Sequence, residues 1–395
     1  MLFRSLGSGR AFLADYSALA AVRPGTTLGL TKALPGPYAL YASDPRGTLR
    51  AVAVQNGPDP SRFPIHTPAS GWHWRMANLC VQVADANHHE ASSHLGRTHL
   101  VMEAVTLAMR RQVSTRHPLY VLLNPHTETT LAINHSAKTS LTAPGGTVDE
   151  VFAARISAFG AVVRGALESF SLTDAHPDHD LAERGLDDRE ALPVHPYRDD
   201  VLLVWRAIQA WVRDMTDLIW PDDASVAADP ELQAFLRDLS SHHGGRLRGV
   251  PEVHTRAHAA HLVAVLIFTA SAQHSAVNFP QFRFMSWPPN MPGALWAAVP
   301  DAATPNTEAA FHALLPPTKV MMNGATMVYL LSNLRMTTLG RYAPGHFLDP
   351  RVAPLLLRFQ AELSRIDNEI AAVDGGRYLP YPYLRPSQIL QSISI

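Results

Sequence analysis

The sequence has a single cysteine, Cys80, among its 395 residues. An intramolecular disulfide framework and a cysteine-rich zinc site are therefore both excluded. It also has no excess of charge of either sign, because 33 Lys and Arg residues stand against 34 Asp and Glu residues. Proteins that bind nucleic acid through a generally basic surface carry such an excess. The composition thus argues against a nucleic-acid-binding protein.

Long uninterrupted apolar segments are lacking as well. Gly, Arg and Asp15 interrupt the first twenty residues, so we expect no signal peptide. The most apolar stretch, residues 262–279, contains Gln273, His274 and Asn278 and is too short and too polar to predict a membrane span. We therefore expect a cytoplasmic protein without a transmembrane segment. Weak contact with a membrane surface remains open.

The composition that remains is that of a globular protein, with 47% hydrophobic and 17% charged residues. Short apolar runs between Pro and Gly in residues 1–70 predict short strands and turns. From residue 71 to 395, apolar residues recur at three- and four-residue spacing, which predicts a helical core. Because no internal repeat or linker interrupts the chain, we predict one domain over residues 1–395, mainly α-helical, with small β elements near the N-terminus.

Apolar periodicity and helix-breaking residues together predict where the helices lie. The predicted helices cover residues 72–112, 148–172, 199–219, 254–278, 307–334 and 350–372. Residues 176–196 and 280–306 are rich in Pro and predict loops, and residues 380–395 predict an extended tail. The helix over 254–278 is the most apolar and is predicted to be buried.

Twenty residues are histidine, and three of them are regularly spaced. His89, His94 and His99 form His-x4-His-x4-His inside the first long predicted helix. Five residues of an α-helix turn through about 500°, which leaves the side chains roughly 140° apart. Two of these histidines can share a metal ion only if the helix widens locally into a π-helix, a feature that is frequent at functional sites. Spacing alone does not choose between the two pairs, and capping or polar-face histidines are the alternative interpretation.

A second polar pair lies in the apolar helix predicted over residues 254–278. His274 and Asn278 are four residues apart and so share one helix face. Burying them among aliphatic residues is costly unless they have partners. The partner is either another side chain in a satisfied core pair, or a metal ion shared with the first helix, as in helical-bundle metal sites. Ligands with nitrogen and oxygen donors favour iron or manganese over structural zinc.

These motifs belong to a longer ordered series. The series runs from Trp72–Asp85 through the triple histidine motif, His117–His126, Leu131-Ala-Ile-Asn134, Pro196–Asp200 and His274-Ser-Ala-Val-Asn278-Phe-Pro-Gln281 to the final Ser392-Ile-Ser-Ile395. In this order, the sequence resembles the lipoxygenase family from about residue 12 to its end. The resemblance implies a lipoxygenase-type helical catalytic domain around two long central helices. We expect either a minimal, bacterial-type domain without the N-terminal lipid-associating β-barrel of plant and animal members, or a fragment of a longer protein.

The resemblance also implies a set of site residues. The ligands of a non-haem iron ion would be His94, His99, His274, Asn278 and the main-chain carboxylate of Ile395, with manganese as the less favoured metal. His89, Glu90 and Gln281 would lie beside these ligands, and Glu90 stands where some members have glutamine. Leu141, Val148 and Leu339 would line the fatty-acid channel. Ala137 falls at the position where alanine accompanies products of S configuration, and no catalytic residue is expected beyond the metal centre.

The activity implied by the resemblance is dioxygenation of polyunsaturated fatty acids that contain a 1,4-cis,cis-pentadiene. The partners would be the fatty acid and O2, and the products S-configured hydroperoxides. Two alternatives remain open on the same fold: a fatty-acid hydroperoxide isomerase or lyase, and a catalytically silent lipid-binding homologue. The sequence makes no prediction about oligomeric state.

Overall fold

The computed structural model describes residues 9–44, 46–333 and 336–395. Its described strands lie in the N-terminal part: β1 (Ala11–Asp15), β2 (Thr26–Thr27), β3 (Leu30–Thr31), β4 (Tyr38–Ser43), β5 (Leu49–Gln55) and β6 (Ile65–His66). Strands β1, β4, β5 and β6 form an antiparallel sheet in that order, and β2 pairs with β3. Ala39 and Val54 of this sheet pack against Ala77 and Val81 of the first helix. The sheet therefore supports the helix that carries the triple histidine motif.

The rest of the described chain is mainly helical. The first helices are α1 (Trp72–His88), α2 (Val101–Gln112), α3 (Pro118–Leu123), α4 (Thr130–Ser136), α5 (Thr147–Val151), α6 (Ile156–Glu168), α7 (Pro177–Glu183) and α8 (Pro196–Ile219). They are followed by α9 (Asp223–Ala228), α10 (Pro230–Ser240), α11 (Arg256–Phe268), α12 (His274–Asn278), α13 (Pro280–Met285), α14 (Glu308–His312), α15 (Thr318–Asn333) and α16 (Val352–Asp374). The predicted fold class, mainly α with small strands near the N-terminus, is confirmed.

Two long helices contain π-helical segments. The segment His89–Leu100 joins α1 to α2, so that one helix runs without a break from Trp72 to Gln112. The segment Thr269–Gln273 joins α11 to α12 in the same way. A third π-helical segment, Ala137–Leu141, extends α4.

Some predicted boundaries were wrong, and proline explains several of them. The predicted loops 176–196 and 280–306 each contain a short helix, α7 and α13, with proline at its first position. Proline is favoured there because its fixed φ is already helical and its missing N–H is not needed. The helix predicted over 307–334 is divided into α14 and α15, and its predicted last residue lies outside the described residues.

The helix from Trp72 to Gln112 passes from one apolar core to another. Met76 and Val83 of α1 are buried in a core that includes Phe152. Residues of α2, among them Val105, are buried in a second core built mainly by α8, α11 and α16. The π-helical segment His89–Leu100 therefore lies where the two cores meet, and its polar side chains are surrounded by apolar packing.

One helical stretch in the described residues, Arg256–Met285, is long and apolar enough to cross a membrane by length and composition alone. Its most apolar window is 83% buried inside the protein. This burial matches the prediction that the stretch is a core helix.

Asn87, near the end of α1, connects this helix to two loops. Its Nδ2 donates to the carbonyl oxygens of Val83 and Gly293, both at 2.8 Å, and its Oδ1 accepts from the Ala153 N–H at 3.2 Å. The side chain is buried. Asn78, on the same helix, makes only the equivalent local bond to the carbonyl oxygen of Trp74.

We predict that Asn87→Ala lowers the free energy of unfolding by about 1–3 kcal/mol, because it removes the buried hydrogen bonds of this side chain and leaves the Gly293 carbonyl and the Ala153 N–H with their bond to each other. The matched control, Asn78→Ala, should lower it by less than about 1 kcal/mol. Denaturant unfolding followed by circular dichroism measures both values. Equal losses in the two variants would show that Asn87 does not connect the elements in this way.

Candidate metal centre

The π-helical segment brings His94 and His99 to the same side of their helix. Hydrogen bonds of i→i+5 type bring residues five apart into line, in place of the separation of roughly 140° in an α-helix. The two Nε2 atoms are 3.1 Å apart and the ring centroids 4.8 Å apart. The predicted local widening of the helix is therefore present where the histidine spacing requires it.

The third imidazole comes from the other long helix. His274 follows directly after the π-helical segment Thr269–Gln273, and its Nε2 lies 3.2 Å from the Nε2 of His99. The ring centroids of His94 and His274 are 5.4 Å apart. All three side chains are buried, with exposed fractions of 6% or less. Together they form a group whose ligand atoms could hold one metal ion.

A neighbouring side chain determines which nitrogen of His99 faces the centre of this group. Asn134 donates from Nδ2 to the carbonyl oxygen of His99 and to Glu103 Oε2, at 3.0 and 2.7 Å. Its Oδ1 therefore accepts from the Nδ1–H of His99, at 2.8 Å. This leaves the Nε2 lone pair of His99 directed at the other imidazoles. A carbonyl partner on the outer nitrogen is the usual arrangement of metal-ligating histidines. No spacing pattern in the sequence predicts a role for Asn134, and only its place in the family motif points to it.

Glu90 and Gln281 support His94 from two helices. The Nδ1 of His94 lies 3.3 Å from Glu90 Oε2, and Gln281 Nε2 donates to the same carboxylate oxygen at 3.1 Å. Gln281 Nε2 is also 3.0 Å from His94 Nδ1 and 3.5 Å from His89 Nε2. These side chains therefore form one network that links the π-helical segment His89–Leu100 to α13.

Burial keeps the imidazoles of His99 and His274 neutral. Burial, followed by repulsion from His94, lowers the pKa of His99 to about 3. The pKa of His274 is also well below its usual value, for the same reason and because of the neighbouring His99 and His94. Burial alone would raise the pKa of Glu90, but the charge attraction and hydrogen bond of His94 outweigh it and lower the pKa. Neutral imidazoles are the form in which histidine binds metals.

Two buried polar atoms of α12 have no hydrogen-bond partner among the described residues. Asn278 donates from Nδ2 to the carbonyl oxygen of Leu331, at 2.9 Å, while its buried Oδ1 accepts nothing. The Nδ1 of His274 is also buried without a partner. Unpaired buried polar atoms are rare and often mark a missing ion or water. An amide oxygen left free one helical turn after His274 fits a bound cation.

The last residues of the chain are held close to this group. The His126 Nδ1–H donates to the carbonyl oxygen of Gln391 at 2.8 Å, and Thr129 Oγ1 donates to that of Ile393 at 3.1 Å. Thr129 has a φ of 67°, which is an outlier for a β-branched residue. Ile395 lines the same cavity as His94 and His99. The tail is thus directed to the imidazoles by contacts that include a strained residue.

The cavity beside the imidazoles has a volume of about 240 Å³. Its lining includes Ala137 and two of the three predicted channel residues, Leu141 and Val148. Leu339 is not in this lining: it is buried in the core that contains α16, and its N–H donates to the carbonyl oxygen of Ile389. Leu331 of α15, which the sequence did not single out, lines the cavity instead. A larger and more open groove around the start of α1 contains no histidine.

The sequence profile of the family described as Lipoxygenase matches residues 39–376. The chain belongs to the lipoxygenase family. It is 37% identical to the linoleate 9/13-lipoxygenase of Pseudomonas aeruginosa over 100% of its own length and 60% of that protein. It is 33% identical to the hydroperoxide isomerase ALOXE3 of Homo sapiens over 99% of its length and 55% of that protein.

The fold agrees with solved lipoxygenase structures. The crystal structure of a coral 8R-lipoxygenase superposes with a TM-score of 0.92 at 28% identity, over 99% of this chain and 60% of that one. The chain therefore spans about 55–60% of the length of these relatives. The region that this chain shares with these relatives includes the helical lipoxygenase domain that carries His94, His99 and His274.

We predict that His99→Gln and His274→Gln each lower the metal content of the purified protein at least about tenfold, since even the outer partners of metal ligands contribute about 10- to 100-fold to affinity. His88→Gln, on the exposed side of the same helix as His99, is the matched control and should keep the metal. Inductively coupled plasma mass spectrometry measures metal per chain, and circular dichroism checks the fold. Unchanged metal content in both ligand variants would contradict the assignment.

A second prediction concerns the tail. In metal-free protein, Thr129→Gly should speed the removal of the last residues by carboxypeptidase roughly tenfold, because the hydrogen bond to Ile393 is lost. Leu28→Gly, which removes an exposed side chain from another left-handed residue (φ 54°), is the control and should leave this rate unchanged. Equal rates in wild-type protein and Thr129→Gly would mean that Thr129 does not hold the tail.

Proposed function

We propose that this chain is the catalytic domain of a non-haem iron dioxygenase that converts polyunsaturated fatty acids and O2 into hydroperoxides. The observation that carries the proposal is the convergence of His94, His99 and His274 beside a largely apolar cavity. Membership of the lipoxygenase family supports it, as does the linoleate specificity stated in the name of the Pseudomonas relative.

Iron is the metal that best suits the donors at the site. The proposed ligands are the three imidazoles, the free Oδ1 of Asn278 and the carboxylate of Ile395, all of them nitrogen or oxygen donors. Such donors suit iron or manganese better than they suit metals that prefer thiolate ligands. A bound iron ion would supply the one-electron redox change needed to take a hydrogen atom from a bis-allylic carbon. We propose manganese as the less favoured occupant.

The residues around the cavity would position the substrate. Leu141, Val148 and Leu331 provide apolar surface beside His94 and His99, which suits a hydrocarbon and excludes water. A volume of about 240 Å³ is just below the range of about 300–1,000 Å³ typical of ligand pockets. It therefore suits the pentadiene segment better than a whole fatty acid. We assign Ala137, which also lines the cavity, to the choice of face for O2 addition, with products of S configuration.

A second candidate is isomerisation of fatty-acid hydroperoxides. It is favoured by the similarity to the human protein named as a hydroperoxide isomerase. The two activities differ in substrate, since the isomerase needs a preformed hydroperoxide and consumes no net O2. They can therefore be separated in one set of assays.

We expect the iron-loaded protein to form conjugated diene from linoleate with uptake of one O2 per diene, and chiral chromatography to show mainly S hydroperoxide. The reason is that the imidazole group lies beside an apolar cavity large enough for the pentadiene. His99→Gln is the inactive control, and linoleate hydroperoxide under nitrogen is the alternative substrate. If the protein turns over the hydroperoxide but forms no conjugated diene from linoleate, the dioxygenase proposal is wrong and the isomerase proposal takes its place.

A further inference from the structure

The three imidazoles of the metal centre differ in what holds their outer nitrogens. His94 Nδ1 lies 3.3 Å from the carboxylate of Glu90, whereas the buried His274 Nδ1 has no hydrogen-bond partner among the described residues. His99 is intermediate, because its Nδ1–H donates to the amide oxygen of Asn134 at 2.8 Å. A neutral amide oxygen is a weaker acceptor than a carboxylate oxygen. What lies on the far side of Asn134 therefore affects how strongly His99 is held.

A carboxylate lies on the far side of this amide. Asn134 Nδ2 donates to Glu103 Oε2 at 2.7 Å and to the carbonyl oxygen of His99 at 3.0 Å. Both partners are acceptors, so the amide presents its oxygen to the His99 ring. The two side-chain hydrogen bonds therefore run in one direction, from the His99 Nδ1–H through Asn134 to Glu103.

The helices bring these three side chains together. Glu103 lies in the first turn of α2, four residues after His99, so both side chains project from the same side of the long helix. Asn134, on α4, connects the two and is buried. Glu103 is partly buried. Water and salt screen such a site less than they screen a fully exposed pair.

Hydrogen bonds that run in one direction strengthen each other. A carboxylate that accepts from an amide N–H makes the oxygen of that amide a better acceptor. A better acceptor for the Nδ1–H raises the basicity of the imidazole and makes its Nε2 a stronger metal ligand. A stronger donor favours the more highly charged state of a bound ion, which for iron is Fe3+ over Fe2+.

We propose that Glu103 is a positioning residue that acts through Asn134 to make His99 a stronger ligand and to favour Fe3+ in the metal centre. The inference rests on the proposed iron centre and deepens it, because Glu103 is absent from the lining of the cavity and acts only through another side chain. Removal of a hydrogen atom from the substrate needs an oxidised centre. Glu103 would therefore raise the fraction of protein that is ready for the proposed reaction.

The same kind of amide–carboxylate pair occurs elsewhere in the protein and provides a matched control. Asn323 Nδ2, on α15, donates to Glu150 Oε2, on α5, at 3.0 Å. Glu150 is also partly buried, and neither residue belongs to a group of side chains that could hold a metal ion. Glu150→Gln therefore removes the same charge from the same kind of bond, without a hydrogen-bonded connection to His99.

The test is a redox titration of iron-loaded protein, in which electron paramagnetic resonance measures Fe3+ at fixed solution potentials. Glu103→Gln keeps an acceptor of the same length for Asn134 but removes the charge, so it separates charge from packing. We expect the ratio of Fe3+ to Fe2+ at a given potential to fall about tenfold, the lower end of what outer partners of metal ligands contribute. For a one-electron couple, this is a rise of about 59 mV in the reduction potential. Glu150→Gln should leave the ratio unchanged.

A second measurement needs no metal. In the proton NMR spectrum of metal-free protein, the His99 Nδ1–H resonance is assigned by its loss in His99→Gln. We expect this resonance to move upfield in Glu103→Gln, because the hydrogen bond to Asn134 is weaker without the carboxylate. It should not move in Glu150→Gln.

An unchanged reduction potential in Glu103→Gln would overturn the proposal, as would an equal shift in Glu150→Gln. A protein that shows the NMR shift but binds no iron would contradict the proposed iron centre, while the effect of Glu103 on His99 would stand. Neither readout depends on fatty-acid oxidation, so the proposed dioxygenase activity and the role of Glu103 can fail independently.

Discussion

Two histidines five residues apart on one helix have to face the same point, and the structure around the metal centre depends on this requirement. An α-helix would separate His94 from His99 by roughly 140°. The helix is widened from His89 to Leu100, and the opposing helix is widened just before His274. Because both π-helical segments lie inside continuous helices, the change of pitch alters the direction of a few side chains without breaking the packing on either side.

The energetically unfavourable features of this arrangement, which are buried polar groups and backbone strain, lie around the three imidazoles and the C-terminal tail. The three imidazoles are buried in an apolar interior, the Asn278 oxygen has no partner in the described chain, and Thr129 has a left-handed backbone. Unsatisfied polar atoms and strained residues persist only where the surrounding packing imposes them, and they gather at functional sites. Here the surroundings are two apolar cores, one on each side of the segment His89–Leu100.

Sequence alone could predict the parts of this site that depend on spacing within a helix. The need for a widened helix followed from the five-residue spacing, and the pairing of His274 with Asn278 from a shared face. The choice of His94 and His99 over His89 needed the family resemblance. Leu331 could not be predicted, because α15 reaches the cavity only through tertiary packing. Leu339 shows the same limit: an aliphatic residue can line a cavity or fill a core, and only the fold decides which.

The supports of His94 and His99 come from protein groups and not from the ion. His99 is held by Asn134, which itself is bonded to Glu103 and to the helix backbone. His94 is held by Glu90, and Gln281 ties that carboxylate to the opposite helix. Because each support is a hydrogen bond between protein groups, the rings of His94 and His99 are oriented without help from a cation. A structural metal often has to organise its own ligands. Ligands that are organised in advance, beside an open cavity, are what a metal with a chemical role requires.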